Sequence, residues 1–445
     1  MKVFFVSLGC DKNLVDSEVM LGLLKDNDFY ITDDENEADV IVVNTCSFIL
    51  DAQDESVQTI LQMAEYKHIN CKALIVTGCL AQRYEKDIRT EIPEVDAVLG
   101  TNSYHKIIEA VNTALAGEFY DSCDSLEGIP DVDTERVIST PSHYGYLKIA
   151  EGCDKFCTYC IIPSLRGHYR SIPIETLMKQ AKSLASQGVK ELILVAQETT
   201  VYGVDIYGRK MLPQLLNNLS LIKGIEWIRI LYCYPEEITD ELIAEIRDNP
   251  KVCHYLDLPI QHANDDVLRR MGRRTSNSEL RELISKLRKE IPDIALRTTL
   301  IAGFPGETED AHEDVMNFID EMEFDRLGAF SYSREDNTPA ASFPDQVDDD
   351  TKDRWRDEIM SLQAEITADI NERLIGQEFD VIIDGNIPDE GTYIARTYRD
   401  APDVDGYVFI ETDWTSLMSG DMLKVRITGA HEYDLIGEIV DESAE

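Results

Sequence analysis

EGCDKFCTYCIIPSLR, Glu151 to Arg166, sets Cys153, Cys157 and Cys160 in the spacing CxxxCxxC. Thiols this dense are usually present for ligation or redox chemistry. Bacterial 4Fe-4S runs bring a fourth cysteine close by, but the next cysteine here is Cys233. A cluster held by three thiolates would leave one iron open. Zinc is the alternative: it would be closed by a fourth Cys or His, for which His168 is the candidate, or would keep three ligands and a water.

The motif follows an apolar run, Tyr146 to Ala150, and begins a series of alternating strands and helices. Further strands are predicted at Leu192 to Ala196, Trp227 to Tyr232, Tyr255 to Pro259, Leu296 to Ala302 and Leu327 to Tyr332. Helical spacing fills the gaps, at Ile174 to Gln187, Leu212 to Asn217, Asp240 to Arg247, Asp266 to Met271, Asn277 to Glu290 and Glu309 to Glu321. Six strands in such a series predict a partial parallel barrel, with a full eight-stranded barrel as the alternative. Chemistry then lies at the carboxyl ends of the strands, where the motif is. Three other strand ends, Ala196 to Thr200, Pro259 to His262 and Gly303 to Glu307, offer polar groups to a ligand. The last also fits capping of the helix that starts at Thr308. His168 and His262 stand alone, so neither is read as a base.

Residues 1 to about 117 show the same alternation. Val3 to Leu8, Val40 to Val43, Ala73 to Val76 and Val95 to Leu99 read as buried strands. Val15 to Leu24, Glu55 to Tyr66 and Ala81 to Ile88 read as helices, so a doubly wound parallel sheet is expected. Cys10, Cys46 and Cys79 each come just after a strand. Ligands in open α/β sheets sit beyond the carboxyl ends of strands, so three thiols 36 and 33 residues apart can converge as a second ligating triad. Cys71, Cys123, Cys233 and Cys253 lack such a pattern and read as structural.

Glu118 to about Tyr144 is acidic and turn-rich, and reads as a linker. Asp349 to Leu374 reads as one long amphipathic helix ending at Gly376. The period then changes to two, with strands at Phe379 to Ile383, Thr392 to Arg396, Tyr407 to Ile410, Met422 to Ile427 and Leu435 to Val440. Five short strands without a helix predict a small antiparallel β-barrel of the OB type.

The 445 residues suggest about three domains. The sequence has no apolar run of membrane-helix length, and its start is too quickly polar for a signal peptide, so a cytoplasmic location is expected. Ten cysteines in a reducing compartment favour metal or redox roles over disulfides. The net charge of −43 opposes sequence-tolerant nucleic-acid binding and favours a basic partner. A saline habitat would explain the same acidity without reference to substrate.

The runs SLGCDKNLVDSE, NTCSF, TGCLAQRY and EGCDKFCTYCIIPSLRG stand in the order and spacing of the radical S-adenosylmethionine (SAM) methylthiotransferase family, which the chain resembles along nearly its whole length. One departure is Asn337, where glycine is usual; asparagine tolerates the same left-handed backbone. The resemblance implies a methylthiotransferase N-terminal domain over 1–117, a linker over 118–138, a radical SAM core over 139–372 and a TRAM domain over 373–441. It implies two 4Fe-4S clusters. The one on Cys153, Cys157 and Cys160 would bind SAM and release a 5′-deoxyadenosyl radical; the one on Cys10, Cys46 and Cys79 would hold the sulfur that is methylated by SAM and delivered. Tyr159, Gln197 and Gly303 are the candidate SAM contacts.

The family divides mainly between tRNA adenosine and the β-carbon of an aspartate in small-subunit ribosomal protein twelve. From Gln377 to Glu445 there are four Lys and Arg against seventeen Asp and Glu, a net of −13. A tRNA-binding barrel should carry a basic groove; this one would repel phosphate and suits a basic ribosomal protein. Ala395 to Gly406, ARTYRDAPDVDG, also resembles the ribosomal-protein branch. Aspartate methylthiolation is therefore expected, with the tRNA reaction as the alternative and direct tRNA binding disfavoured. The sulfur donor and electron donor are not specified by the sequence.

Overall fold

The computed structural model describes residues 1–440 apart from 131, 133, 388–390 and 413–416. In the first region β1 (Lys2–Ser7), β2 (Tyr30–Thr32), β3 (Val40–Thr45), β4 (Ala73–Gly78), β5 (Ala97–Leu99) and β6 (Tyr120–Ser122) form a parallel sheet in the order β2-β1-β3-β4-β5-β6. The central strands β3 and β4 are buried along their whole length, which is why they read as unbroken apolar runs. Helices Leu50–Ala64 and Cys79–Glu91 cover one face, and Asp11–Asp26 and Ile107–Leu115 the other. The edge strands β2 and β6 are short and partly exposed, so they have no apolar signature. β6 takes the sheet to residue 122, into the segment expected to be linker. The strand order reverses between β1 and β3, the place where such sheets bind ligands.

The second region contains β7 (Tyr144–Lys148), β8 (Ala150–Glu151), β9 (Arg170–Ser171), β10 (Glu191–Val195), β11 (Trp227–Ile230), β12 (Tyr255–Asp257), β13 (Ala295–Ala302) and β14 (Arg326–Ser331). The parallel sheets β11-β10-β7 and β12-β13-β14 are joined where Ile228 bridges Val252 and Cys233 N donates to Asp257 O at 2.9 Å. Six parallel strands thus make one arc. Among the described residues its end strands, β7 and β14, form no ladder with each other, so the barrel is partial. Leucines and isoleucines facing outward from the strands pack under the helices in the largest core.

Helix Asp349–Arg373, capped by Asp348, buries Trp355, Ile359, Ile366 and Ile370 against this region. Then β15 (Glu378–Ile387), β16 (Thr392–Thr397), β17 (Val408–Glu411), β18 (Met422–His431) and β19 (Asp434–Ile439) close into a barrel. Residue 441, the expected end of this domain, lies outside the described residues. The barrel departs from a wholly antiparallel one in a single pair, β17 with β19, which is parallel. An odd number of strands closed in a ring requires at least one such pair.

The terminal barrel docks on the amino ends of the arc. Arg396 lies fully buried between Glu191 at 2.9 Å and Asp384 at 2.7 Å. The loop after β16 enters the arc, where Asp400 takes Arg326 at 2.6 Å, Asp403 accepts from Tyr144 Oη at 2.9 Å and Asp405 accepts from Tyr255 Oη at 2.8 Å. Tyr144, Glu191, Tyr255 and Arg326 are the first residues of their strands. This loop therefore closes the floor of the arc and leaves the carboxyl ends to the chemistry.

Candidate active site at the strand carboxyl ends

The CxxxCxxC loop is pinned at its base. Cys153 N donates to Gly167 O at 3.1 Å, and Gly152 has φ +80°, where a Cβ would lie 2.1 Å from His168 O. Only glycine fits that approach. Farther along, Thr158 ties the loop to the helix Asp265–Arg270, with its amide on Met271 O at 2.9 Å and its hydroxyl on Arg270 O at 2.8 Å. Cys153 and Cys157 are buried and Cys160 half-buried. Burial pushes the Cys153 thiol up to about 11 and that of Cys160 higher. Tyr234 Oη lies 3.7 Å from Cys157 Sγ, and the Tyr159 hydroxyl is beside the same sulfur.

The other triad is assembled by topology. Cys10 precedes the helix that follows β1, Cys46 follows β3, and Cys79 opens the helix after β4. β1, β3 and β4 are neighbours, so three positions far apart in sequence meet at the carboxyl end of the sheet. Gly9, at φ +85°, permits the approach: a Cβ there would lie 3.0 Å from Cys46 Sγ. Burial and then the nearby Cys79 push the Cys46 thiol up to about 11, and burial raises Cys79 also.

The two triads are neighbours. Ile161 and Leu165, just after Cys160, pack on Cys79. The buried Arg166 places Nη2 3.6 Å from Cys79 Sγ and 2.9 Å from Asn13 Oδ1, while its Nη1 reaches Asp16 at 2.8 Å and Glu151 at 3.3 Å. Lys148 pairs with the same two acids. Burial favours the neutral form of Glu151, but Lys148 and Arg166 outweigh it and hold the carboxyl at about 2. After β11, Tyr232 and Tyr234 divide between the triads: Lys12 Nζ lies 3.2 Å from the Tyr232 ring centroid, and Tyr234 faces Cys157. Arg166, Lys148 and both tyrosines carry no sequence signal of this role. Each is ordinary in isolation, and its partners are distant in the chain.

The candidate SAM contacts fall around the CxxxCxxC loop unevenly. Tyr159 packs edge-on against Phe304, with centroids 6.5 Å apart. Gln197 Nε2 donates to Glu151 Oε1 at 2.9 Å, and the Oε1 of Gln197 itself is buried without a hydrogen bond. Gly303 gives its amide to Glu307 Oε2 at 2.7 Å and backs onto Lys352, so a ligand contact there falls to the carbonyl. Next to Gln197, Glu198 is 1% exposed; its Oε2 accepts no hydrogen bond, and burial lifts its carboxyl to about 7 despite Lys155 Nζ at 3.5 Å from that oxygen. Glu236 Oε2 and Arg273 Nε are buried and unpaired as well. A group of orphaned polar atoms at strand ends suits a charged, hydrogen-bonding ligand.

His168 does not join the thiols; it bonds Asp154 at 2.6 Å and is 80% exposed. Among the described residues no three Cys, His, Asp or Glu side chains converge on one ion, which a mononuclear zinc site needs. In a 4Fe-4S cluster each thiolate takes a different iron, so such convergence is not required. An all-cysteine donor set fits iron and sulfide. His262 accepts Asn264 N at Nδ1 and lies 3.2 Å from Glu307, a structural role. Asn337 has φ +68°, the left-handed conformation expected of it.

The description "Uncharacterized protein family UPF0004" matches residues 2–100, "Radical SAM superfamily" residues 147–319 and "TRAM domain" residues 375–440. The ribosomal protein uS12 methylthiotransferase RimO of Lachnoclostridium phytofermentans is 59% identical over 98% of this chain and 99% of its own. The chain belongs to the radical SAM methylthiotransferase family, in its RimO branch. RimO of Acetivibrio thermocellus is 50% identical over 100% of this chain and 99% of its own, and that of Clostridium botulinum strain Hall is 49% identical over 99% of each. The fold is also similar to that of the radical SAM methyltransferase TsrM from Kitasatospora setae, solved with cobalamin and a 4Fe-4S cluster. That match has TM-score 0.54 and 12% identity, over 85% of this chain and 76% of that one. Among the described residues no helix is long and apolar enough to cross a membrane.

Proposed function

We propose that this chain replaces a hydrogen on the β-carbon of an aspartate of ribosomal protein uS12 with a methylthio group, in the cytoplasm. The observation that carries the reading is the contact of two cysteine triads across Cys79, Ile161, Leu165 and Arg166. A radical made at one triad would then form close to a sulfur held at the other. Bound on Cys153, Cys157 and Cys160, a 4Fe-4S cluster would supply the electron that cleaves SAM; on Cys10, Cys46 and Cys79, a second would supply an open iron for sulfur.

The remaining steps belong to the chain. Tyr159 and Tyr234 place hydroxyls at Cys157, on the rim of the first triad. Gln197, Tyr159 and the Gly303 carbonyl would hold SAM, with Glu198 as a further acceptor for its ammonium group. Arg166 places positive charge on Cys79 and fixes the distance between the triads. The same reading divides the chain into units at 1–117, 139–372 and 373–441, with β6 extending the first sheet into the segment between the first two.

The substrate assignment rests on the RimO relatives and on charge. All four bases of the terminal barrel are paired with acids: Arg396 with Glu191, Arg399 with Asp325, Lys424 with Asp380 at 3.9 Å and Arg426 with Glu378 at 2.7 Å. A phosphate backbone therefore meets no ready cation there, whereas a basic protein meets acids. The test is expression in cells lacking such an enzyme, followed by mass spectrometry. A methylthio group on a uS12 aspartate is expected. Methylthio-adenosine in digested tRNA with uS12 unmodified would overturn the assignment.

A further inference from the structure

On β13 the exposed face is the one turned into the arc. Leu296, Thr298, Leu300 and Ala302 are buried, whereas Arg297, Thr299 and Ile301 are partly open. β14 repeats the pattern, with Leu327 and Ala329 buried, Gly328 partly open and Phe330 54% exposed. One position lower, Ala295 and Arg326 are buried beneath the loop that carries Asp400 and Asp405. The lumen is therefore open down to the level of Arg297 and closed below it.

Arg297 is held there in a definite orientation. Its Nη1 donates to Asp257 Oδ1 at 3.0 Å, and its Nε lies 3.4 Å from Asp405 Oδ1. Asp257 and Asp405 are almost fully buried, while the arginine side chain is 19% exposed. Its Nη2 makes no hydrogen bond among the described residues. On the adjacent strand Gly328 faces it without a side chain: a Cβ added there would stand 3.9 Å from Nη2. The guanidinium points up the arc, with Nη1 3.4 Å from Thr299 Oγ1 on the side of the carboxyl ends. Asp257 also accepts Tyr232 N at 2.9 Å, and the Tyr232 ring lies under Lys12, two residues from Cys10.

We propose that Arg297 is the specificity-determining residue that binds the carboxylate of the substrate aspartate from the floor of the lumen. An arginine fixed by two acids and open at one nitrogen is preorganised for such a group, because little rotamer freedom remains to be lost. Burial pushes Asp405 towards its neutral form, which lessens the negative charge an incoming carboxylate would meet. Gly328 leaves the space that a side chain would fill. The interaction selects a protein side chain with a carboxylate over a nucleobase.

The inference rests on the uS12 reading, and the test separates the two. The iron-loaded enzyme, wild type and Arg297→Gln, is titrated in the presence of SAM with uS12 and with uS12 whose modified aspartate is replaced by asparagine. Wild type should bind the asparagine form roughly 10- to 100-fold more weakly, the size expected for a charge-assisted hydrogen-bonded pair. Arg297→Gln should bind both forms alike, and as well as wild type binds the asparagine form. That last equality shows that the variant is folded; Arg297→Lys should recover part of the discrimination. Undiminished discrimination by Arg297→Gln, or none by wild type, overturns the inference and leaves uS12 as substrate. Failure of wild type to methylthiolate uS12 overturns the functional reading itself.

Discussion

The two triads solve the same problem in opposite ways. Cys153, Cys157 and Cys160 lie within one loop, and their relative positions follow from a few backbone contacts, such as Cys153 N to Gly167 O and Cys160 N to Cys157 O. Cys10, Cys46 and Cys79 have no local relation; the order of β1, β3 and β4 alone brings them together. A site of the first kind can persist while distant packing loosens. A site of the second kind is only as ordered as the sheet beneath it, and here the carboxyl end of the sheet is further held by Arg166 from the other triad.

The largest effect that would sharpen this contrast is loss of either triad. Replacing Cys153, Cys157 and Cys160 by Ala should abolish cleavage of SAM to 5′-deoxyadenosine. Replacing Cys10, Cys46 and Cys79 should leave that cleavage measurable but remove methylthio transfer. Each set should halve an iron content of about eight per chain. Equal loss of SAM cleavage in both sets would break the division of labour.

Next in size is the tie between them. Arg166→Met would leave Asp16 and Glu151 to share the charge of Lys148, and removal of one partner from a buried ionic group typically costs about 3–5 kcal/mol. Chemical denaturation should show a loss of that order, together with preferential loss of iron from the Cys10, Cys46 and Cys79 site. Unchanged stability with the full iron content retained would mean that the triads are ordered independently.

Elements with a strong period were legible because their burial is uniform. Helix Asn277–Glu290 and strand β13 are where the apolar pattern puts them. β2 and β6 were not legible, since a three-residue edge strand needs no apolar run. The cysteines were legible because thiols at strand ends are unusual by type. Arg166, Lys148 and Arg297 are common residue types whose meaning lies in partners up to 153 positions away. ARTYRDAPDVDG shows the same limit. Its acids enter the net charge of −13 that favours a basic partner, whereas Asp400, Asp403 and Asp405 are spent inside the arc.

The smallest test concerns two buried glutamates, one beside each side of the CxxxCxxC loop. Glu151 is kept ionised by Lys148 and Arg166, while Glu198 is lifted by burial from 4.5 to about 7 because Lys155 alone does not compensate. Between those two values the native state retains a proton on Glu198 that the unfolded chain has lost. Stability must then fall as pH rises through this window and level off above it, by about 3 kcal/mol in all from this group. Glu198→Gln has no such proton to lose. Denaturation of the iron-free protein from pH 4.5 to 8 should therefore show the variant gaining on wild type as pH rises. A constant difference across the window would mean that Glu198 is as well compensated as Glu151, and that the two sides of the loop are electrostatically alike.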